Sequence, residues 1–109
     1  MPRFSKGDVV LVRYPFSDLT NSKVRPAVVV SGQHESSDLI FVPLTSRTSG
    51  LRSGEFVLSD FQAAGLNVAS AAKRGFHTLE ERFVLQHVGR LTAADLAEIE
   101  RAITFWLSL

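Results

Sequence analysis

KVRPAVVVS, residues 23–31, predicts the strand around which the rest of the fold is arranged. Two basic residues and a proline stand directly before an unbroken run of β-branched and apolar residues, which is typical of a buried strand. Proline disfavours the α region for the residue before it and cannot donate a ladder hydrogen bond, so it suits the start of a strand. We therefore predict a strand over residues 26–31, with the Arg25 guanidinium at its entrance and turned outward.

Apolar runs on both sides of this segment predict further strands of one antiparallel sheet. They cover residues 9–14, 39–44 and 55–59, with 68–73 as a weaker candidate because alanine has low strand propensity. Segments rich in turn-forming residues separate these runs. Residues 79–91 fit a helix and a strand equally well, and the chain has no room for long parallel crossovers.

The last segment, residues 93–107, predicts an amphipathic helix of about four turns. Thr92 precedes it and Asp95 follows three residues later, which resembles a capping box with aspartate in place of glutamate. Five apolar residues recur at helical spacing, namely Leu96, Ile99, Ile103, Trp106 and Leu107. Short strands followed by one terminal helix predict a mainly β fold, a small curled antiparallel sheet with the helix packed on it, in a single domain over residues 1–109.

Composition limits the classes of protein that this chain can be. It has 109 residues, 45% of them hydrophobic, which fits one globular domain with its own core. It has no cysteine, which excludes disulfides and thiolate chemistry. The start, MPRFSKGD, shows no signal peptide, and no apolar run approaches the roughly 20 residues of a membrane span, so we expect a cytoplasmic protein without membrane contact.

The charged residues are distributed unevenly along the chain. The net charge is only +1, but residues 1–77 hold nine Lys and Arg against six Asp and Glu, whereas residues 78–109 hold three against five. The first part is thus +3 and the second −2. The basic excess in the first part could form a local anion site among the strands. On charge alone, the simpler interpretation is that these residues are ordinary solvated surface charges.

A second polar group follows the third predicted strand. In VPLTSR, residues 42–47, Pro43 predicts that the strand ends just before Thr45, so that two hydroxyls and a guanidinium lie at its end. If the strands at 26–31 and 39–44 are antiparallel neighbours, positions 25 and 45 share one end of the sheet. Guanidinium donors match phosphate oxygens, so this end could bind a phosphodiester. A solvated arginine beside a turn that caps its own backbone is the alternative.

These segments resemble the PemK/MazF family of toxin endoribonucleases of type II toxin–antitoxin systems. The resemblance runs from about Lys6 to Ile103 and is carried by KGDVVLVRYPFSDLTNSKVRPAVVVS, LIFVPLTSR and GRLTAADLAEIERAI. It implies a small SH3-like β-barrel with a C-terminal helix. It also implies metal-independent, sequence-selective cleavage of single-stranded RNA, in which the 2′-OH attacks the adjacent phosphate and leaves a 2′,3′-cyclic phosphate and a 5′-OH.

The resemblance also implies partners and site residues. The partners are a second copy of the chain and an antitoxin whose disordered tail covers the RNA site, in a complex that binds DNA; no cofactor is implied. The family's catalytic arginine falls on Arg25 and its catalytic threonine on Thr45. Further residues expected to contact the RNA are Asp18, Lys23, Ser46, Arg47, Lys73 and Arg74.

The general base is where the sequence departs from the family pattern. The loop SDLTNSKV, residues 17–24, has Asp18 as its only acid where some members carry a glutamate, and SAAKRGFHTLE, residues 70–80, is one residue short. His77 is the candidate base, because the ordinary pKa of a histidine is about 6.5. The alternative is a histidine that is packed or solvated beside Phe76.

Other residues suggest a partner surface or a different function. Phe105 lies opposite the apolar stripe of the helix, so we expect Phe105 and Trp106 at an interface with another protein. His34, Glu35 and Asp38 lack an ordered ligand spacing, so we predict no metal site. The alternative functions are a non-nucleolytic inhibitor of the CcdB type, which poisons DNA gyrase, and an SH3-like binding module that has lost catalysis.

Overall fold

The computed structural model describes residues 3–14, 23–32 and 34–109. Within these ranges the chain forms seven β-strands and then one α-helix. They are β1 Asp8–Tyr14, β2 Lys23–Val29, β3 Asp38–Thr45, β4 Phe56–Val57, β5 Ala71–Ala72, β6 His77–Glu80, β7 Val84–Arg90 and α1 Ala93–Leu107. A short 3₁₀ turn, Glu81–Phe83, joins β6 to β7.

The strands form one antiparallel sheet in the order β4-β5-β3-β2-β1-β7, with β6 paired to β3 beside this path. The predicted mainly β fold with a C-terminal helix is therefore confirmed. The sheet does not close into a full barrel, because β4 and β7 lie at opposite ends of the order and do not pair in the described part of the chain.

Strand β2 is central and pairs with β1 and β3. It begins at Lys23 rather than at Pro26, so the predicted position of the proline at the start of the strand is wrong. Pro26 lies opposite Leu11 of β1, whereas pairing with β3 begins only at Ala27. A proline is tolerated here because the strand has no β3 partner at this residue that would need its N–H.

Strand β3 continues through Pro43 to Thr45, so the prediction that it breaks before Thr45 is also wrong. Beyond Pro43 the strand exchanges its partner β2 for β5, where Leu44 pairs with Ala72. The Pro43 carbonyl accepts a hydrogen bond from the Lys73 N–H at 2.9 Å, so the proline contributes to the ladder as an acceptor.

The structure also decides the segments whose sequence patterns were weak or ambiguous. The strands predicted over 55–59 and 68–73 contract to two residues each. The ambiguous segment 79–91 contains no α-helix; the end of β6, the 3₁₀ turn and β7 cover most of it.

Of the helices in the described ranges, none is both long and apolar enough to cross a membrane.

Two hydrophobic cores lie on the two faces of the sheet. In β2, Val28 belongs to the core beneath α1, whereas Ala27 and Val29 belong to the core on the other face. This alternation follows from the two-residue period of a strand, and it explains why the run after Pro26 is apolar throughout. Burial of each of these valine side chains stabilises the folded state by about 1.5–3 kcal/mol relative to leaving it exposed.

Helix α1 covers the first core with Ile99, Ala102 and Trp106. The predicted cap is confirmed, since the Thr92 hydroxyl accepts a hydrogen bond from the Asp95 N–H at 3.2 Å. Leu107 was predicted in the apolar stripe but is 51% exposed at the last residue of the helix.

In a capping box the carboxylate of Asp95 would turn back to the Thr92 N–H, but here Asp95 bonds to a different segment. Its side chain is buried and accepts hydrogen bonds from the backbone N–H groups of Ser59, at 2.8 Å, and Asp60, at 3.2 Å. A buried carboxylate needs such donors. Asp95 therefore attaches the segment after β4 to the first turn of the helix.

Candidate functional site

The register of β2 and β3 brings Arg25 and Thr45 to the same end of the sheet. Ala27 lies opposite Pro43 and Val28 opposite Val42. Two residues further outward on each strand, Arg25 and Thr45 face a shared hollow of about 840 Å³ that both of them line. The predicted juxtaposition of these two residues is confirmed, and their chemical roles remain predictions.

We call this cavity the sheet-end hollow. Its lining includes seven of the residues predicted for the site, namely Lys23, Arg25, Thr45, Ser46, Lys73, Arg74 and His77. Four of the seven are cationic, and among the described residues that line the hollow none is acidic. Pro26, Pro43 and Phe76 add apolar walls to the hollow, and walls of low polarity strengthen the field of the cations. The hollow is therefore suited to an anion.

Thr45 combines the two roles that the sequence left open. Its Oγ1 accepts a hydrogen bond from the Arg47 N–H at 3.1 Å, so the residue does cap the turn that follows β3. A threonine hydroxyl has one proton to donate besides its acceptor lone pairs, and this hydrogen bond does not use that proton. The cap fixes the hydroxyl in place, and the hydroxyl can still donate to an anion in the hollow.

His77 lies on β6 opposite Phe41 and is half-buried. Its ring meets the ring of Tyr14 edge-on, with the centroids 5.0 Å apart. Both rings line the sheet-end hollow, so His77 is packed and also reaches the site. Tyr14 was not predicted as a site residue; its only sequence signal is an aromatic residue at the end of β1.

Tyr14 keeps its proton over the whole physiological range. Burial raises the pKa of its phenol to about 12, because the phenolate would lose its hydration inside the protein. Tyr14 therefore faces the hollow as a neutral group and contributes a flat aromatic wall beside His77.

Arg47 does not line the sheet-end hollow. It lies in a neighbouring cavity of about 370 Å³, the loop hollow, whose charged lining residues are Arg47, Arg52, Glu55, Lys73 and Arg74. Thr45, Lys73 and Arg74 line both cavities, so the two are continuous. Sequence reasoning missed Arg52 and Glu55, which it placed in a loop and at the start of a strand.

Glu55 is the one carboxylate among the described residues that line the loop hollow. It accepts hydrogen bonds from the N–H groups of Arg52, at 2.7 Å, and Arg74, at 2.8 Å. These two hydrogen bonds, and after them the charges of Arg52 and Lys73, hold the pKa of Glu55 below its ordinary value of 4.5 despite partial burial. Glu55 is therefore ionised at neutral pH.

The remaining histidines lie elsewhere. The Nδ1 atom of His34 accepts a hydrogen bond from the Ser36 N–H at 3.0 Å inside its own turn. His87 lies on β7, and its Nε2 is 3.5 Å from the Asp8 Oδ1 at the start of β1. No cluster of three or more metal-ligating side chains occurs in the part of the chain that the structure describes. Asp18 lies outside the described residues.

The two aromatic residues predicted at an interface differ in exposure. Phe105 is 58% exposed, as its position opposite the stripe predicted. Trp106 is only 8% exposed, and its Nε1 donates a hydrogen bond to the Ser53 carbonyl at 3.0 Å. Trp106 therefore belongs to the core, as its place in the apolar stripe predicted, and little of its side chain is accessible to another protein. The interface expected at Phe105 and Trp106 stays a prediction.

Fold and hollow together define a small antiparallel β-protein with a helical cover and a cationic cavity at one end of its sheet. The family described as "PemK-like, MazF-like toxin of type II toxin-antitoxin system" matches residues 5–107. The chain belongs to this family, and the resemblance stated from the sequence is confirmed. No curated protein gives a significant match to the chain.

Solved structures share the fold at low sequence identity. A MazE–MazF complex from Deinococcus radiodurans superposes with a TM-score of 0.80 at 19% identity, over 100% of this chain and 99% of that one. An endoribonuclease in complex with its cognate antitoxin from a mycobacterial species gives 0.74 at 17% identity, over 100% and 97%. The Mycobacterium tuberculosis toxin MazF-mt6 gives 0.72 at 18% identity, over 94% and 97%. At these identities the likeness establishes the fold alone.

Proposed function

We propose that this protein is an endoribonuclease toxin that cleaves single-stranded RNA. In the proposed reaction the ribose 2′-OH attacks the adjacent phosphorus and the bond to the 5′-oxygen breaks, leaving a 2′,3′-cyclic phosphate and a 5′-OH. The observation that carries the proposal is the shared hollow of Arg25 and Thr45, whose described lining is cationic and without a carboxylate. Family membership and the mycobacterial endoribonuclease of the same fold support it.

Arg25 and Thr45 act on the phosphate. Negative charge grows on the non-bridging oxygens as the phosphorus becomes five-coordinate, and a planar guanidinium offers two parallel donors to such oxygens. The Thr45 hydroxyl donates from the opposite strand. Preorganised donors of this kind are worth on the order of 3 kcal/mol each in the transition state.

His77 is the proposed base that accepts the proton of the 2′-OH. Histidine is the side-chain type that exchanges protons near neutral pH, and this one lines the same hollow as Arg25. The nucleophile comes from the substrate itself, so the reaction as proposed needs neither a bound metal ion nor a hydrolytic water in the bond-breaking step. The leaving 5′-oxygen takes a proton from solvent as it departs, and His77 returns the proton of the 2′-OH to solvent afterwards, so the protons balance.

The phosphates on either side of the reacting one are proposed to bind Lys23, Lys73 and Arg74. Ser46 and Arg47 are proposed to contact the RNA further along its backbone. We further propose an antitoxin as the partner that covers this site, since structures of the same fold contain MazE or a cognate antitoxin. A homodimer, a DNA-binding antitoxin complex and a contact from Asp18 belong to the same proposal.

The test is cleavage of a mixed RNA pool by the purified protein in excess EDTA, with the ends mapped. We expect cuts that leave 5′-OH ends, and no cut where the nucleotide before the scissile phosphate carries 2′-deoxyribose. Cleavage of the deoxy substrate at the same position, or 5′-phosphate ends, would refute attack by the 2′-OH. Intact RNA together with inhibition of gyrase would favour the CcdB-like alternative.

A further inference from the structure

We propose that Glu55 is a positioning residue that fastens two cationic loops into one rim of the RNA site without contacting RNA itself. The first loop, residues 46–55, carries Arg47 and Arg52 and ends at Glu55 itself, and the second, residues 73–76, carries Lys73 and Arg74. The inference rests on the proposed function for its readout on RNA and on the geometry of Glu55 for its readout on the loops.

The two oxygens of Glu55 are divided between the loops. Oε1 accepts from the Arg52 N–H at 2.7 Å and Oε2 from the Arg74 N–H at 2.8 Å, which are 22 positions apart in the sequence. The Glu55 N–H in turn donates to the Arg52 carbonyl at 2.9 Å, so the turn at 52–55 is closed from both sides. One side chain thus sets the separation of two backbones.

Glu55 accepts hydrogen bonds from the backbone N–H groups of Arg52 and Arg74, and this leaves their guanidinium groups available to bind phosphate. Among the ion pairs between described residues, none joins Glu55 to the guanidinium of Arg52 or of Arg74. Both guanidinium groups are exposed and border the loop hollow. The carboxylate therefore orders the two loops while both guanidinium groups remain able to bind phosphates. A salt bridge from Glu55 to either guanidinium would instead compete with phosphate for the same donors.

The other side of both loops is fixed to the helix. Trp106 donates its indole N–H to the Ser53 carbonyl at 3.0 Å, and its ring meets the Phe76 ring edge-on at 6.1 Å between centroids. Trp106 thus contacts both loops from the helix, and Glu55 is the side chain that accepts backbone hydrogen bonds from both of them among the described contacts.

The sign of one substitution separates this role from a simple charge. Glu55→Gln removes a negative charge from a cationic cavity, so a purely electrostatic role predicts tighter RNA binding. Glutamine has only one oxygen, so it also loses one of the two amide acceptors, and a positioning role predicts weaker binding. We expect KM for RNA to rise about fivefold for Glu55→Gln and about tenfold for Glu55→Ala, with kcat changed less than about twofold because Arg25 and Thr45 are untouched.

The experiment combines RNA kinetics with amide hydrogen exchange on the RNA-free protein. We expect Glu55→Gln to speed exchange at the Arg52 and Arg74 amides with little change in the core, and Glu55→Asp to restore part of the protection. Glu100→Gln is the control with the same charge change, since Glu100 is an exposed residue of α1 whose carboxylate pairs with Lys6 at the surface, 3.5 Å away.

Faster exchange at both amides with a raised KM supports the inference. Unchanged exchange at these amides would overturn it, and so would a lowered KM, which would make Glu55 only a repelling charge. If the wild-type protein cut no RNA, the proposed function would fail, and the exchange result would still decide whether Glu55 ties the loops.

Discussion

Replacement of Arg25 gives the most direct measure of the proposed chemistry. Arg25 is exposed at the rim and belongs to neither hydrophobic core, so we expect Arg25→Ala to leave the free energy of unfolding within about 0.5 kcal/mol of wild type. Its guanidinium lines the sheet-end hollow with Thr45, where it can meet the phosphate. Loss of one such donor costs on the order of 3 kcal/mol in the transition state. At about 1.4 kcal/mol per factor of ten, kcat falls roughly a hundredfold.

The comparison with lysine separates charge from geometry. Arg25→Lys keeps the positive charge but loses the planar pair of donors, so we expect a fall in kcat of about tenfold, between wild type and alanine. The assay is multiple-turnover cleavage of a short labelled RNA at saturating RNA, which gives kcat, with thermal unfolding of each variant alongside. Arg82→Ala is the control, because Arg82 is also an exposed cation, and it lies on the 3₁₀ turn and pairs with Glu80 at the end of β6. A kcat for Arg25→Ala within threefold of the control would refute the assignment.

Three further predictions test the fold and the site. Gly54 has a φ of +86°, and a Cβ there would lie 2.3 Å from the Trp106 Nε1, so Gly54→Ala should destabilise the protein by about 1–3 kcal/mol, whereas Gly32→Ala, with open space around it, should stay near neutral in denaturant unfolding. Tyr14 is the only tyrosine, and its absorbance should titrate near pH 12; because the folded state holds this proton more tightly, stability should fall as the pH rises from about 10 toward 12, and a midpoint at 10 would contradict burial. Lys73→Gln should reduce the slope of log affinity against log salt by about 0.7 if Lys73 meets one phosphate of a single strand, and an unchanged slope would remove it from the site.

The sequence predicts the elements whose signals are local. Strands β1 to β3 have runs of β-branched residues, and α1 has both a cap at Thr92 and a helical period, so these elements appear close to where the patterns place them. Strands β4 and β5 are held by few hydrogen bonds to neighbouring strands, and a two-residue ladder leaves no pattern of its own. Pro43 misled the prediction because a proline ends a strand only where its N–H is needed, and that depends on which partner lies beside it.

The site divides in the same way. Arg25 and Thr45 could be placed at one end of the sheet from the order and direction of two strands. Glu55 could not, because its partners are main-chain N–H groups, and one of them belongs to a distant loop. Trp106 lies in the core, as the helical stripe predicted, whereas Phe105 beside it is exposed, because successive residues of a helix lie on different faces.

The indole that anchors both loops is the only tryptophan in the chain. The protein therefore carries its own optical reporter, set where the terminal helix meets the basic rim. Its emission reads the environment of Ser53 and Phe76 together, without an attached dye. Any ligand that tightens or parts these segments changes a signal that comes from one known position, so binding can be followed in unlabelled protein with unlabelled nucleic acid.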